Sequence, residues 1–433
     1  MIAGVCIVLV FFVAAGLMVT RTLPALLALP LMALAVATVA GVASGLPISG
    51  PEGHSLRSLI FNVVLRQGTI GLAETMVLTM FGGILSQVVM RQGIAPTIVR
   101  TAAEYAGDQK LLLAFLMTCA VAMNFATLTG LGAVIMVGSL VLPILIGSGL
   151  SAGFAGTLML FGIAVGGMVN PANLSLYSNL LGLDKQMVQH YAAQYALLFG
   201  VLIVFYLIVE GRREKGSFAW AQQQALPPKT VPAIALLTPI LPIVLILLPG
   251  LQWPPMPAFL AAILFGCLTT APRRTVPNLT AATLEGLRDT APVLALFMGI
   301  GMAKAAMTDP SATEIMGPLV KAISPSSPLG YIAFFTLLSP LTLYRGPFNL
   351  FGLGAGFMVL MGHSGLPPLA VMAAFLTVGQ VQSVCDPTNT ANVWIAQFVR
   401  TTTDYFLRHT LLYIMVYVLV ALIYAVMIQG VMR

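Results

Sequence analysis

Apolar runs of span length recur along this chain, and they limit its fold more than any other feature. Ile2–Val19, Leu23–Ala43 and Thr410–Met427 each approach the ~20 residues a helix needs to cross a bilayer. In lipid every backbone N–H and C=O must be paired within the protein, so such runs become helices or strands of a closed barrel. They are continuous rather than alternating, which excludes the barrel. Only 8% of residues are charged and 59% are hydrophobic, with a mean hydropathy of +0.98. A soluble domain carries about a quarter charged residues. The chain reads as an all-α polytopic membrane protein.

The runs divide into two halves. Spans are expected near 4–20, 22–44, 68–90, a broken 152–183 and 187–210, then near 231–249, 256–271, 290–308, a broken 368–399 and 408–429. Between the third and fourth span of each half, 111–147 and 327–362 are too interrupted to cross cleanly and read as re-entrant hairpins. The halves align with each other. Ser148-Gly149-Leu150 matches Ser364-Gly365-Leu366, Pro171 matches Pro387 and Asn173 matches Asn389, all at one offset. After a short gap, Gly130-Leu131-Gly132-Ala133 matches Gly352-Leu353-Gly354-Ala355. An odd number of crossings per half makes the expected repeats inverted, 1–210 and 231–433, joined by a cytoplasmic linker at 211–230.

Charge orients this topology. With the linker inside, Arg21, Arg91, Arg100, Lys110, Arg212, Arg213, Lys215, Lys229, Arg273, Arg274, Arg288, Arg400 and Arg408 all fall on the cytoplasmic side. Arg57, Arg66, Lys185, Lys304, Lys321 and Arg433 fall outside. This excess is the expected positive-inside bias and places both termini outside a multi-pass inner (cytoplasmic) membrane protein. Arg21 follows the first run and no positive residue precedes it, so that run reads as a retained helix rather than a signal peptide. The net charge of +7 fits membrane topology and calls for no nucleic acid.

Two spans break at corresponding points. One reads Gly166-Gly167-Met168-Val169-Asn170-Pro171-Ala172-Asn173-Leu174-Ser175, the other Gln382-Ser383-Val384-Cys385-Asp386-Pro387-Thr388-Asn389-Thr390. Proline frees a backbone carbonyl one turn back. Protein, water or a ligand must then fill the gap. Paired interruptions of this kind point to the central site of a secondary transporter. A lone motif would read as readily as a proline kink; the symmetric duplicate favours a site. Asn170, Asn173 and Ser175 offer oxygens to a cation such as sodium. Asp386 can hold sodium as a carboxylate, carry a coupling proton, or merely cap the half-helix that begins near Thr388.

The hairpin tips face these breaks. The first runs from Asn124 through Thr127, Thr129 and Gly130 to Gly132; the second runs from Tyr344 and Arg345 through Asn349 to Gly352 and Gly354. Each tip precedes a half-helix whose N-terminus carries positive partial charge, favourable for an anion. Arg345 is the one basic residue this topology leaves near the midplane; it can bind a carboxylate bidentately or pair with Asp386. Gln380 and Gln382 face the second break, and Phe348, Tyr177 and Trp394 could flank a substrate, although aromatic residues there more often pack. Glu74 and Lys304 lie in third spans, and His363 reads as solvated in a loop.

The order of elements, the hairpins and the duplicated breaks around 124–132, 170–175, 345–354 and 386–392 resemble the ion transporter superfamily. That group includes divalent anion–sodium symporters, citrate–metal symporters, and gluconate and lactate permeases. The tips and breaks here depart from the Ser-Asn-Thr signature of the divalent anion symporters. The resemblance implies a homodimer whose scaffold holds two mobile transport domains working by an elevator-like stroke.

These readings converge on a secondary transporter for a small organic anion, a di- or tricarboxylate such as citrate or a C4-dicarboxylate, in symport with sodium or protons. Arg345, Asn124, Thr127, Asn173, Asn349, Thr388 and Asn389 are expected at the anion; Thr129, Gly130, Asn170, Ser175, Gly352, Asp386 and Thr390 are expected at the coupling ion. No cofactor and no metal is expected beyond sodium. The alternative is a cation–proton antiporter using Asp386, which a fixed positive Arg345 disfavours. An enzyme is not expected. There is no Walker-type loop, and His54, His190, His363 and His409 are not spaced with second ligands. Cys6, Cys119, Cys267 and Cys385 lack metal-ligand spacing.

Overall fold

The computed structural model describes residues 2–20, 22–50, 55–106, 109–214, 231–248 and 250–432. Helices account for nearly all of it, and no strand occurs among the described residues. The first half contains α1 (Ile2–Val19), α2 (Ala25–Ala43), α3 (Leu56–Arg91, π-helical over Leu59–Gly68), α4 (Ile94–Ala106), α5 (Lys110–Phe125), α6 (Leu131–Gly147), α7 (Ala152–Val169), α8 (Pro171–Leu181) and α9 (Lys185–Gly211). The second contains α10 (Leu241–Leu247, after a 3₁₀ turn at Ala233–Leu237), α11 (Pro255–Thr270), α12 (Pro272–Thr308), α13 (Pro310–Ile323), α14 (Pro328–Leu338), α15 (Gly354–Ser364), α16 (Pro368–Cys385), α17 (Thr390–Phe398) and α18 (Thr403–Met427). The second half thus repeats the element order of the first.

Local chemistry sets these boundaries. Asp184 caps α9 by accepting from the Gln186 and Met187 amides, both at 3.0 Å. Ser151 and Ser327 do the same for α7 and α14, and Asp309 for α13. Prolines stand in the first turns of α8, α13, α14 and α16, where the missing N–H costs nothing.

The structure departs from the sequence reading in four places. The third spans begin earlier than 68 and 290, at Leu56 and Pro272, giving helices of 36 and 37 residues. Polar residues such as Arg57, Arg66, Arg288 and Asp289 lower the local hydropathy without breaking the helix. At 1.5 Å per residue both exceed the ~30 Å core. The stretch 231–249 is not one helix; Pro239 lies between the 3₁₀ turn and the short α10, and Pro242 stands in the first turn of α10. The connections before the hairpins fold into amphipathic α4 and α13, and α13 meets the second hairpin at 97°. His363 lies in the last turn of α15, its Nδ1 2.8 Å from the Val359 carbonyl oxygen. Of the 211–230 linker, Gly211 closes α9, and 215–230 lie outside the described residues.

α3 and α12 cross closely, packed also on α2. Small residues allow this: a side-chain carbon at Gly68 would stand 2.7 Å from Met302 Cα, and one at Gly286 2.6 Å from the Ile84 nitrogen. The remaining helices gather around two internal pairs, α5 with α7 and α16 with α18, and α7 touches α16. The outer faces of α9 and α18 expose Leu197, Val201, Phe205, Leu412, Val420 and Met427. Apolar belts of this extent suit lipid rather than water. Seven helices are long and apolar enough to cross a membrane, and the protein is a multi-pass membrane protein.

Candidate functional site

Each hairpin tip is fastened to the break of its own half, by opposite chemistry. In the first half the α7–α8 break turns on Asn170, 2% exposed. Its Oδ1 accepts from the Ala172 amide (3.0 Å), capping α8. Its Nδ2 donates to the tip carbonyls of Phe125 (3.1 Å) and Leu128 (3.2 Å). Asn173 ties the break internally, donating to the Gly167 carbonyl at 2.8 Å. The tip turns through Gly130, whose φ of +93° favours glycine, and Thr129 donates to the Thr79 carbonyl on α3 at 3.1 Å.

In the second half the tip presents an N–H instead of carbonyls. Asp386, 1% exposed, accepts at Oδ1 from the Tyr344 amide (3.2 Å), the Thr388 amide (2.8 Å) and the Thr388 hydroxyl (2.7 Å). Asn170 donates to its tip and Asp386 accepts from its tip, so a carboxylate could not replace the amide of the first half. The cap of α17 is Asn389, accepting from the Ala391 amide at 3.0 Å, not Asp386. Asn392 donates to the Val384 and Asp386 carbonyls, both at 3.0 Å, and Asn349 to the Thr342 carbonyl at 3.2 Å. Tyr344 and Arg345 both adopt left-handed backbone, φ 54° and 59°. Such conformations cost roughly 1–2 kcal/mol each and concentrate at functional sites.

Both tips and both breaks line one cavity of about 340 Å³, within the range of small-ligand sites. Thr129, Gly130, Asn170, Asn173, Arg345, Asn349, Asp386, Asn389 and Thr390 contribute to its wall, with Gln380, Gln382, Ser383 and Tyr177. Phe125, Phe297 and Phe351 supply apolar surface. Arg345 donates from Nη1 to the Phe351 carbonyl at 3.1 Å. The ion pairs among the described residues are Arg91–Glu285, Arg100–Glu104, Lys185–Glu74 and Arg213–Glu210, so Arg345 has no carboxylate partner there, Asp386 included. A guanidinium carries five donors, and this bond uses one of them.

Five expected site residues lie off this wall. Asn124 is fully buried and donates to the Ala120 carbonyl. Thr127 donates to the Pro239 carbonyl at 2.8 Å. Ser175 accepts from Thr75 and Asn179 on the far side of α8. Thr388 is spent on Asp386. A carbon on Gly352 would stand 2.6 Å from the Arg345 carbonyl oxygen, so that glycine seats the arginine rather than meeting a ligand. Of the flanking aromatics Tyr177 lines the cavity, whereas Phe348 packs among Phe334, Phe335 and Phe375 and Trp394 against Phe398. The sequence reading misses Thr79 and Phe297, single residues in long apolar helices with no local signal.

Neither a protein-family model nor a curated protein matches this sequence. Solved structures do match in fold. The Alcanivorax borkumensis YdaH transporter, described as having an unusual topology, superposes with a TM-score of 0.65 at 15% identity, over 94% of this chain and 100% of that one. Neisseria gonorrhoeae MtrF, described with a class of antimetabolite efflux pumps, gives a TM-score of 0.59 at 14% identity, over 93% of this chain and 94% of the other. The chain shares the fold of these two transporters along nearly its whole length.

Proposed function

We propose that this protein is a secondary active transporter for a small organic anion in the inner membrane. One observation carries the reading: Arg345, without an acidic partner among the described residues, stands in the single cavity where both breaks and both tips meet. The substrate class is a di- or tricarboxylate, such as citrate or a C4-dicarboxylate. Arg345 would take one carboxylate bidentately, and the amides of Asn173, Asn349 and Asn389, which line the same wall, would exchange their present backbone donations for the rest of the molecule. The apolar wall of Phe125, Phe297 and Phe351 favours a carboxylate with an apolar body as the second substrate to test.

Coupling would run through sodium or a proton. Asp386 supplies the carboxyl group for either ion. The buried amide oxygens of Asn124, Gln380 and Asn392 accept no hydrogen bond and are ligands of the kind sodium takes. Thr127 drops out of the anion set and Ser175 out of the coupling-ion set, because their hydroxyls are committed elsewhere. The two halves act as inverted repeats in an elevator-type homodimer, as the resemblance to the ion transporter superfamily implies. Likeness in fold to YdaH and to an antimetabolite efflux pump supports transport and leaves both import and export open to test. The cation–proton antiporter is the second reading, resting on Asp386; Arg345 in the same cavity opposes it.

Proteoliposomes loaded against imposed sodium or proton gradients, given labelled citrate, succinate or benzoate, test the proposal. Gradient-driven uptake or efflux of one of them is expected. Proton flux without any anion, and no gradient-dependent movement of a carboxylate, would refute it in favour of the antiporter.

A further inference from the structure

Two charges on α12 take no part in the cavity wall, and each meets an end of a first-half helix. Asp289 lies at the N-terminal end of α6. A side-chain carbon at Gly132 would stand 2.2 Å from its Oδ2, and one at Gly130 3.6 Å from its carbonyl oxygen. Gln87 of α3 steadies the carboxylate, donating to Oδ2 at 2.7 Å. Fifteen residues on, about 22 Å along the helix, Lys304 donates to the Asn179 carbonyl. That carbonyl is one of the last four of α8, which lack an intrahelical partner. Thr75 of α3 joins the same corner through Ser175 and Asn179, and the Glu74–Lys185 pair ties α3 to α9 beside it.

The signs match the helix ends. The N-terminus of α6 carries positive partial charge and faces an aspartate; the C-terminus of α8 carries negative partial charge and faces a lysine. Swapped, the two charges would repel both ends. We propose that Asp289 and Lys304 are positioning residues. Together they form a dipole-matched clamp by which the long helix α12 docks the first hairpin and broken helix in one of two transport positions. This rests on the reading of an elevator-type displacement. Leaving the docked position costs both contacts, so the clamp sets how the two positions are populated while substrate contacts stay unchanged.

The test needs no substrate. Nitroxide labels at Leu284→Cys on α12 and Leu197→Cys on α9, both exposed, report the distance between the two bodies by pulsed electron resonance in nanodiscs, with the native cysteines replaced. Asp289→Asn keeps size and the Gln87 contact while removing charge, and Lys304→Gln, one atom shorter, removes the charge at the other end. The double variant is expected to change the ratio of the two distance populations by roughly 5- to 30-fold. Lys304→Arg keeps the charge and is expected to retain the parent distribution. Identical distributions in the parent and the double variant would overturn the clamp, as would a shift in Lys304→Arg as large as in Lys304→Gln. If the double variant does not yield a monodisperse protein, Asp289→Asn alone is read by the same criterion. A parent protein that moves no carboxylate in proteoliposomes would sink the proposed function while leaving these distances to judge the clamp.

Discussion

Exchanging the two break residues should have unequal consequences, because the tips they hold have opposite polarity. In Asn170→Asp, a carboxylate replaces an amide that donates to the Phe125 and Leu128 carbonyls. Two buried hydrogen bonds are lost and two acceptors are left facing a third. At about 1–3 kcal/mol for each unsatisfied buried group, the cost is on the order of 3–6 kcal/mol once the unpaired charge is added. In Asp386→Asn, the Oδ1 acceptor of all three contacts survives, and only its charge assistance goes. That loss is about 1–2 kcal/mol. With an unfolding entropy near 2.1 cal/mol/K per residue, each kcal/mol moves the midpoint of a 433-residue chain by about 1 °C. Fluorescence-detected size-exclusion after graded heating would rank the variants. Asn170→Asp should melt lowest, with Asp386→Asn close to the parent. Equal stabilities, or the reverse order, would refute the assignment of donor to one half and acceptor to the other.

Arg345→Lys keeps the charge but loses the planar fork; it should weaken carboxylate uptake by about tenfold or more, and Arg345→Ala by roughly 30-fold or more, read as apparent affinity in proteoliposomes at unchanged melting. Gly166→Ala would set a methyl 2.5 Å from the Ala122 carbonyl oxygen and 2.8 Å from the Ala126 nitrogen; α7 must then leave the first hairpin, and both folded yield and uptake should fall. Arg400, in the turn between α17 and α18, has φ 54°. Arg400→Gly should raise the melting midpoint through relief of about 1 kcal/mol of backbone strain; a lower midpoint would count against that strain.

The breaks and tips were legible because their signal is local. Pro171 with Asn170 and Asn173, and Pro387 with Asp386 and Asn389, interrupt apolar helices within a few residues, and glycines mark both tips. What each side chain would touch was not legible. Thr127 meets Pro239 and Ser175 meets Thr75, partners about a hundred residues away that no spacing reveals. The first halves of α3 and α12 escaped for a related reason: an arginine inside a helix lowers its hydropathy equally whether it ends the helix or merely reaches solvent. Amphipathic α4 and α13 are too polar to resemble spans and too short to show sustained periodicity. Asp289 gave no signal, since its meaning comes from Gly132, which lies on the other half of the sequence.

The fastening of tip to break has a consequence for direction. Tyr344 and Thr388 share one oxygen of Asp386, and Asn170 bridges its own tip in the same manner. Neither tip can swing away alone without surrendering buried bonds, so each tip and its break hold together as one wall of the cavity. A chamber that keeps its shape offers a passenger the same welcome at either face of the membrane. In the transporter proposed above, such a device would have no built-in preference for filling the cell or emptying it; whichever compartment holds the steeper combined gradient of passenger and coupling ion would set the traffic.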